Sequence, residues 1–349
     1  MKNTRFVNFG FQILAVVLAL IVTTLILAAV GANPWDAYKN IYAGSFGSFE
    51  KFTDVLVAWI PLLITVAGLL VTFSAGLWNI GVEGQIIMGA IATTWIVRLL
   101  QDTTTPPALI ITLAILAGMI GGALWASLAG ALKTFGGVNE IFGGLGLNFV
   151  ATASTIWLIF GPWKRPGVAS IAGTESFNES VWLPTMGDTR LSLWALGLAI
   201  LSIVIVYFLL QGTYIGLRLK AVGKNPKAAY LLGVPTWQYS MMAFMLCGAF
   251  AGLAGAMQVM AVYHRLIGSI SSGYGFLGLL VAMLVNYQVI WAAPVALFFA
   301  ALNIGGIQLP IILKLDSSIT GILQGTLVLF VLMVEGVRQK FMKRVGEKQ

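Results

Sequence analysis

Charged side chains are scarce in this chain: they make up 9% of 349 residues, against 59% hydrophobic ones. The mean hydropathy of +0.93 excludes an ordinary soluble globular domain. A single cysteine, Cys247, excludes an internal disulfide and a cysteine cluster for metal. It falls within an apolar run and reads as a small packed side chain. His264, the lone histidine, sits beside Arg265 at a helix end and reads as structural or solvated. No G-x-x-x-x-G-K-[ST] loop occurs, so the chain has no phosphate-binding loop of that kind for ATP. Few acids lie deep in the apolar runs and there is no histidine–carboxylate relay, groups that a proton-coupled carrier usually needs. The alternating segments of about ten residues that mark a membrane barrel are also absent.

What remains is a succession of apolar runs of the roughly 20 residues that a helix needs to cross hydrocarbon. Forty glycines accompany them, a frequency typical of tightly packed transmembrane helices. The fold class is therefore all-α, a polytopic helical membrane protein in a lipid bilayer. Spans are expected at 6–35, 55–75, 84–100, 108–132, 141–160, 191–210 and 239–263. Residues 266–313 carry no charge and are too many for one crossing at about 1.5 Å per residue. Asn286, Tyr287, Gln288 and Pro294 supply a turn that divides them into two, and 317–334 is the last. The count is about ten transmembrane helices, with the N- and C-termini cytoplasmic, in one transmembrane domain over 1–349. A cleaved signal peptide ending at Val30-Gly31-Ala32 is the alternative for the first run. Its apolar stretch 13–29 exceeds the usual core of about 7–15 residues, which favours an uncleaved anchor.

Charge placement tests this topology, because short cytoplasmic loops gather Lys and Arg. With the N-terminus inside, the inner segments hold twelve basic and four acidic residues and the outer segments eight of each. The net charge of +8 thus follows the membrane rather than marking a nucleic-acid partner. The inner loop 213–238 contributes Arg218, Lys220, Lys224 and Lys227 with no acid. Within it, between Gly223 and Gly233, a run of small residues from Asn225 through Ala228 and Ala229 to Leu232 reads as a brief helix along the membrane face, shaped for docking. With no nucleotide site of its own, the chain reads as one half of a two-part machine. The largest outer segment, 161–190, is either a connector or a docking rim for an external partner. It exceeds the usual connector length, and Trp163 and Trp182 suit the headgroup level. Gly118, Gly122, Ala126 and Gly130, and again Gly248, Gly252 and Ala256, recur at intervals of four, faces along which helices approach closely.

The polar candidates cluster in few places. Asn79, Glu83 and Gln85 stand among glycines between two apolar spans. A carboxylate at membrane depth costs about 2.5–3.5 kcal/mol, so it faces a protein interior or a wet cavity. The competing reading is a turn in which Glu83 merely caps the next helix. Glu140 suits the first turn of a helix. Asn148 lies deeper and needs a hydrogen-bond partner. Asn286, Asn303 and Gln308 pose the same question. Each alone reads as interhelical bonding; together they suggest a path for a neutral, hydrogen-bonding solute.

At these residues the chain resembles the membrane subunits of ATP-binding-cassette (ABC) importers of the branched-chain amino acid, ribose and nucleoside permease superfamily. NIGVEGQIIMGA at 79–90 is similar to the signature of the nucleoside branch, whose members work with a basic membrane lipoprotein. GLRLKAVGKNPKAAYLLGVP at 216–235 resembles the superfamily's ATPase-docking region. KTFGGVNEIFGGLGLNF at 133–149 and SGYGFLGLLVAML at 272–284 match as well. The resemblance runs over about 52–334, with one departure ahead of Asn148, where a threonine–methionine pair is the expectation. It implies a permease that is not an enzyme, with ATP bound by a cytoplasmic ABC ATPase and no cofactor of its own. It also implies a second, related permease subunit in a heterodimer and an external substrate-binding lipoprotein. The docking helix would fall on 225–232, with Gly223, Asn225, Ala228, Ala229 and Gly233 in the coupling region. The expected cargo is a nucleoside. A ribose-type sugar or amino-acid permease is the near rival, and a self-sufficient carrier or channel the distant one.

Overall fold

In the computed structural model the described residues are 17–346 without 19, 168–172 and 287, and among them the regular elements are all helical. The chain divides into two compact units, Met1–Val55 with Phe298–Gln349, and Leu56–Leu297.

The first unit opens with α1 (Leu20–Ala29) and α2 (Pro34–Phe46), which meet at 110°. Gly31 turns the chain at φ +83°, and Asn33 then caps α2 by accepting a 3.0 Å bond from the Trp35 N–H. The run expected to cross as 6–35 therefore bends away at its C-terminal end; its residues before 17 lie outside the described ones. Near the other terminus α13 (Gln308–Leu313) and α14 (Ile319–Gly346) complete the unit. Leu27, Ala37 and Ile41 bury themselves against Leu309, Ile319 and Leu323. The Ser45 hydroxyl donates to the Ala301 carbonyl at 2.6 Å. Two helices run from one unit into the other, α3 (Phe49–Ser74) and α12 (Val289–Gly306).

The second unit is built round α4 (Val82–Leu100), α5 (Pro107–Thr134) and α10 (Thr236–Met257). The small-residue faces seen in the sequence meet here: Gly118 and Gly122 of α5 lie against Gly248 and Gly252 of α10, backbone on backbone. A Cβ on Gly252 would run into the Gly118 carbonyl, so glycine is required for the approach. Around this trio lie α6 (Glu140–Phe160), capped by Asn139, and α7 (Leu193–Gly212). After α7 come α8 (Tyr214–Lys224) and the six-residue α9 (Pro226–Leu231). α10 continues as a π-helical turn, Gln258–Tyr263, and α11 (Tyr274–Leu284) follows.

Among the described residues six helices are long and apolar enough to cross a membrane, or seven if the bent α1–α2 pair is one span. The chain is accordingly a multi-pass membrane protein. The difference from the expected spans is instructive at 266–313. A turn is present at Asn286, which lies at φ +48°, whereas Pro294 lies inside α12 rather than in the turn. On the near side of that turn the helix is the 11-residue α11, which at 1.5 Å per residue reaches about 17 Å and falls short of the roughly 30 Å hydrocarbon core.

Candidate functional site

Two helices of the second unit begin in the middle of the bundle rather than at its edge. After α3 ends at Ser74, Gly76 packs on Gly223 at the end of α8. The chain then runs without regular structure to Gly81, and α4 starts with Gly84 beside Trp125, about two-thirds of the way along α5. α11 starts at the same depth, with Gly275 beside Glu83, and packs Gly278 on Thr65 and Leu69 of α3. Irregular backbone at such depth is tolerated where protein or a water-filled cavity satisfies it.

The polar residues singled out in the sequence do this. The Asn79 and Gln85 side chains form a reciprocal amide pair, Nδ2 to Oε1 and Nε2 to Oδ1, both at 2.9 Å. Asn79 Nδ2 also approaches Cys247 Sγ at 3.1 Å, which anchors the connection to α10. Asn148 of α6 donates through Nδ2 to the Ile80 carbonyl at 2.9 Å and accepts at Oδ1 from the Gly84 N–H at 2.8 Å. Its amide thus supplies the bonds that the broken backbone lacks. All four residues, with Glu83, are buried. Glu83 sits in the first turn of α4, yet its carboxylate reaches across to α11, where Oε2 accepts from the Gly275 N–H at 2.7 Å. The backbone of Gly273 and Phe276 and the Ser271 side chain also face it. Glu83 therefore caps a second helix as well as lying at the start of its own. No ion pair to it exists among the described residues. Asn286 stands exposed after α11, and Asn303 is half-buried in the part of α12 that belongs to the other unit.

Two features of this region were not legible in the sequence. Gln258, 2% exposed, opens the π turn, and its Nε2 lies 3.4 Å from both the Ile270 carbonyl and Ser272 Oγ. The Tyr263 hydroxyl is 3.3 Å from the same Oγ. The serine-rich run 269–272, inside a stretch without charges, was the available signal.

The docking candidates lie together on α8, α9 and the turn after it. Asn225 caps α9, accepting from the Ala228 N–H at 3.1 Å, with Pro226 at the first helical position, and Gly233 at φ +80° ends the segment. Gly223 is held against the Ser74 carbonyl and Gly76. Ala229 faces inward, Ala228 outward. What the small-residue pattern missed is the outer surface: Tyr230, Leu231 and Leu232 are 69%, 84% and 83% exposed. Nearby, Lys133 and Glu140 form an ion pair beside a cavity of about 370 Å³ that Gly223, Pro226 and Trp237 also line.

The described part of 161–190 is fastened to the far end of α10. The Thr174 N–H donates to the Leu266 carbonyl at 2.9 Å, Phe177 N–H to His264 at 2.9 Å, and Leu183 N–H to Met260 at 3.1 Å. Trp182 stacks on the His264 ring at 3.9 Å, and the Arg98 guanidinium lies over Trp163 at 5.6 Å. A single 3₁₀ turn, Glu179–Val181, is its regular structure among the described residues.

Residues 52–332 match the family described as branched-chain amino acid transport system / permease component. A glucose ABC transporter permease protein of Haloferax volcanii is 30% identical, over 94% of this chain and 88% of its own length. A nucleoside ABC transporter permease protein of Lactococcus lactis is 27% identical over 84% and 82%. A guanosine ABC transporter permease protein of Bacillus subtilis is 27% identical over 93% of each chain. The chain belongs to the branched-chain amino acid transport system / permease component family, and is a transport component rather than an enzyme.

Proposed function

We propose that this permease carries nucleosides inward across the cell membrane, driven by ATP hydrolysis in a cytoplasmic ABC ATPase held at α9. The observation that carries the reading is the junction at Glu83. Two helix N-termini meet within the bundle, where side-chain amides and the Glu83 carboxylate bond backbone groups, and among the described residues no ion pair or titratable relay leads away from them. Such a centre suits an uncharged, hydrogen-bonding cargo. The 79–90 motif and the nucleoside and guanosine relatives favour a nucleoside among such solutes. The relative from Haloferax volcanii supports a second reading, a sugar.

In this reading Asn79, Glu83, Gln85 and Asn148 shape the solute path where the partial helices meet, and Asn286 and Asn303 add polar positions elsewhere along it. A second permease subunit and an external lipoprotein complete the importer, and the fastened loop 161–190 is the rim on which that lipoprotein rests. The relatives from Bacillus subtilis and Lactococcus lactis each include two such permeases, which favours a pair. Both termini are cytoplasmic in a ten-crossing topology. Residues 75–81 with α4 make one crossing, and 266–273 with α11 make another. ATP-driven movement of α9 biases inward- and outward-open states by differential binding.

The test is uptake by the complete complex in proteoliposomes, offered labelled nucleosides, pentoses, glucose and branched-chain amino acids. ATP-dependent nucleoside uptake that excess sugar and amino acid leave intact is expected. Uptake of glucose alone would replace the first reading by the second, and amino-acid uptake would refute both.

A further inference from the structure

The segment between α10 and α11 differs chemically from the junction beside it. At the junction the side-chain amides meet their partners at 2.8–2.9 Å, Asn79 and Gln85 each other and Asn148 the backbone of Ile80 and Gly84. In the π turn and the run that follows, the contacts among Gln258, Tyr263 and Ser272 are 3.3–3.4 Å, at the long limit for a hydrogen bond. Gln258 Oε1 accepts no hydrogen bond among the described residues. The backbone here is strained as well: His264 lies at φ +53° and Ser272 at φ +48°, both left-handed without being glycine. Strain of this kind and π turns concentrate at functional sites.

The local charge narrows the ligand. The start of a partial helix in a transporter commonly faces an anionic group of the cargo. Here Glu83 already occupies that end of α11, so a second anion would meet a carboxylate rather than free N–H groups. Gln258, Tyr263 and Ser272 offer only neutral donors and acceptors, plus one aromatic face. We infer that these three residues form a hydrogen-bonding station for the ring hydroxyls of an uncharged solute, a pentose or hexose ring either free or within a nucleoside. The inference rests on the permease reading above and adds the part of the cargo that is recognised. Amide, phenol and hydroxyl together match vicinal hydroxyl groups, each of which both donates and accepts. The incoming ring replaces contacts that are already long, so little is broken to admit it.

The experiment measures KM and kcat of uptake by the complete complex in proteoliposomes, for a ribonucleoside, its 2′-deoxy and 2′,3′-dideoxy analogues, ribose and glucose. The variants are Gln258→Leu, Tyr263→Phe and Ser272→Gly, the last because glycine accepts the left-handed backbone while removing the hydroxyl. Each lost hydrogen bond should raise KM for the ribonucleoside about three- to tenfold. The same variants should raise KM far less for the dideoxy analogue, a non-additivity that packing damage alone would not produce. Sensitivity to the variants that extends to ribose identifies the sugar ring itself as the ligand; sensitivity confined to nucleosides requires the base as well. Equal effects on ribonucleoside and dideoxynucleoside, or an unchanged KM in all three variants, would overturn the station while leaving the permease reading intact. A wild-type complex that takes up neither nucleosides nor sugars would overturn both. If Gln258→Leu does not assemble into a monodisperse complex, the other two variants decide the matter.

Discussion

The Glu83 carboxylate accepts a 2.7 Å hydrogen bond from the N–H of Gly275, 192 positions later in the chain. One side chain thereby serves two helix starts, α4 where it resides and α11 which it caps. Both starts carry partial positive charge from their unpaired N–H groups, and a single buried negative charge complements both. Gly275 must be glycine for the contact, because a Cβ there would meet the Glu83 backbone at 2.8 Å.

Replacing Glu83 separates charge from hydrogen bonding. Glu83→Gln keeps an acceptor for α11 and removes the charge, an expected loss of about 1 kcal/mol. Glu83→Ala also strands N–H groups of α11, an additional cost of about 1–3 kcal/mol. Thermal unfolding of the purified chain in detergent should rank wild type above Gln above Ala. Equal melting temperatures for all three would show that the carboxylate does not hold α11.

The glycine faces make a second, independent forecast. Gly252→Ala drives a Cβ into the Gly118 carbonyl and forces α5 and α10 apart, at an expected cost of about 1–3 kcal/mol. Gly146, in α6, has open space around it, and Gly146→Ala should stabilise the helix by about 0.5–1 kcal/mol. Opposite signs in the same unfolding assay are expected. A gain at Gly252 comparable with that at Gly146 would mean that helix entropy, not close approach, governs both.

Much of this architecture was legible because hydrophobic length and small-residue spacing are local signals. The close-packing faces of α5 and α10 followed from intervals of four, though not that they meet each other, and the brief helix at 226–231 from the run of small residues between Gly223 and Gly233. The meeting of α4 and α11 was not legible, since no local pattern says that a charge-free run holds an 11-residue helix starting at mid-bundle. For the same reason the two readings of Glu83, cavity carboxylate or cap of its own helix, missed the cap on another helix 192 positions away. Gln258 escaped notice because a π turn leaves no mark on hydrophobic periodicity. Tyr230, Leu231 and Leu232 lay in a segment read for its small residues, and their exposure depends on α9 turning Ala229 inward.

The outer end of α10 should respond to acid. Burial lowers the His264 pKa below its ordinary value, and the charges of Arg190 and Arg265 act in the same direction. The unfolded segment therefore binds a proton more readily than the folded one, and local stability falls as pH drops through the ordinary histidine range near 6.5. Amide protection factors in 173–191, corrected for the intrinsic pH dependence of exchange, should fall between pH 7 and about pH 5 in the wild type. His264→Asn, which tolerates the left-handed backbone, should abolish that fall in protection. Protection factors that stay constant with pH in the wild type would contradict the linkage.

Topology has a direct check. Ser176 and Lys224 are both exposed, in the 161–190 loop and at the end of α8 respectively. In a Cys247→Ala background, a cysteine at Ser176 should label from outside intact cells, and one at Lys224 only after permeabilisation. Labelling of both from one face would overturn the ten-crossing arrangement.

The proposed ATPase contact makes a sharper demand now that α9 is placed. Ala229 is 2% exposed, so Ala229→Trp should unseat α9 from its own support and act through misfolding. Ala228 points outward, and Ala228→Trp alters the surface alone. Leu231 is 84% exposed, and no hydrogen bond or ring contact ties its side chain down, so Leu231→Ser should leave the fold of this chain unchanged. Exposed apolar side chains on a rigid, capped turn are the kind that dominate a docking interface, where one truncation commonly costs more than about 1 kcal/mol. Leu231→Ser should therefore weaken assembly with the ATPase about fivefold or more, lowering substrate-stimulated ATP hydrolysis in the same proportion. Melting temperature should match the wild type, which separates this variant from Ala229→Trp. Full co-purification and full stimulation in Leu231→Ser and Ala228→Trp would place the ATPase somewhere other than α9.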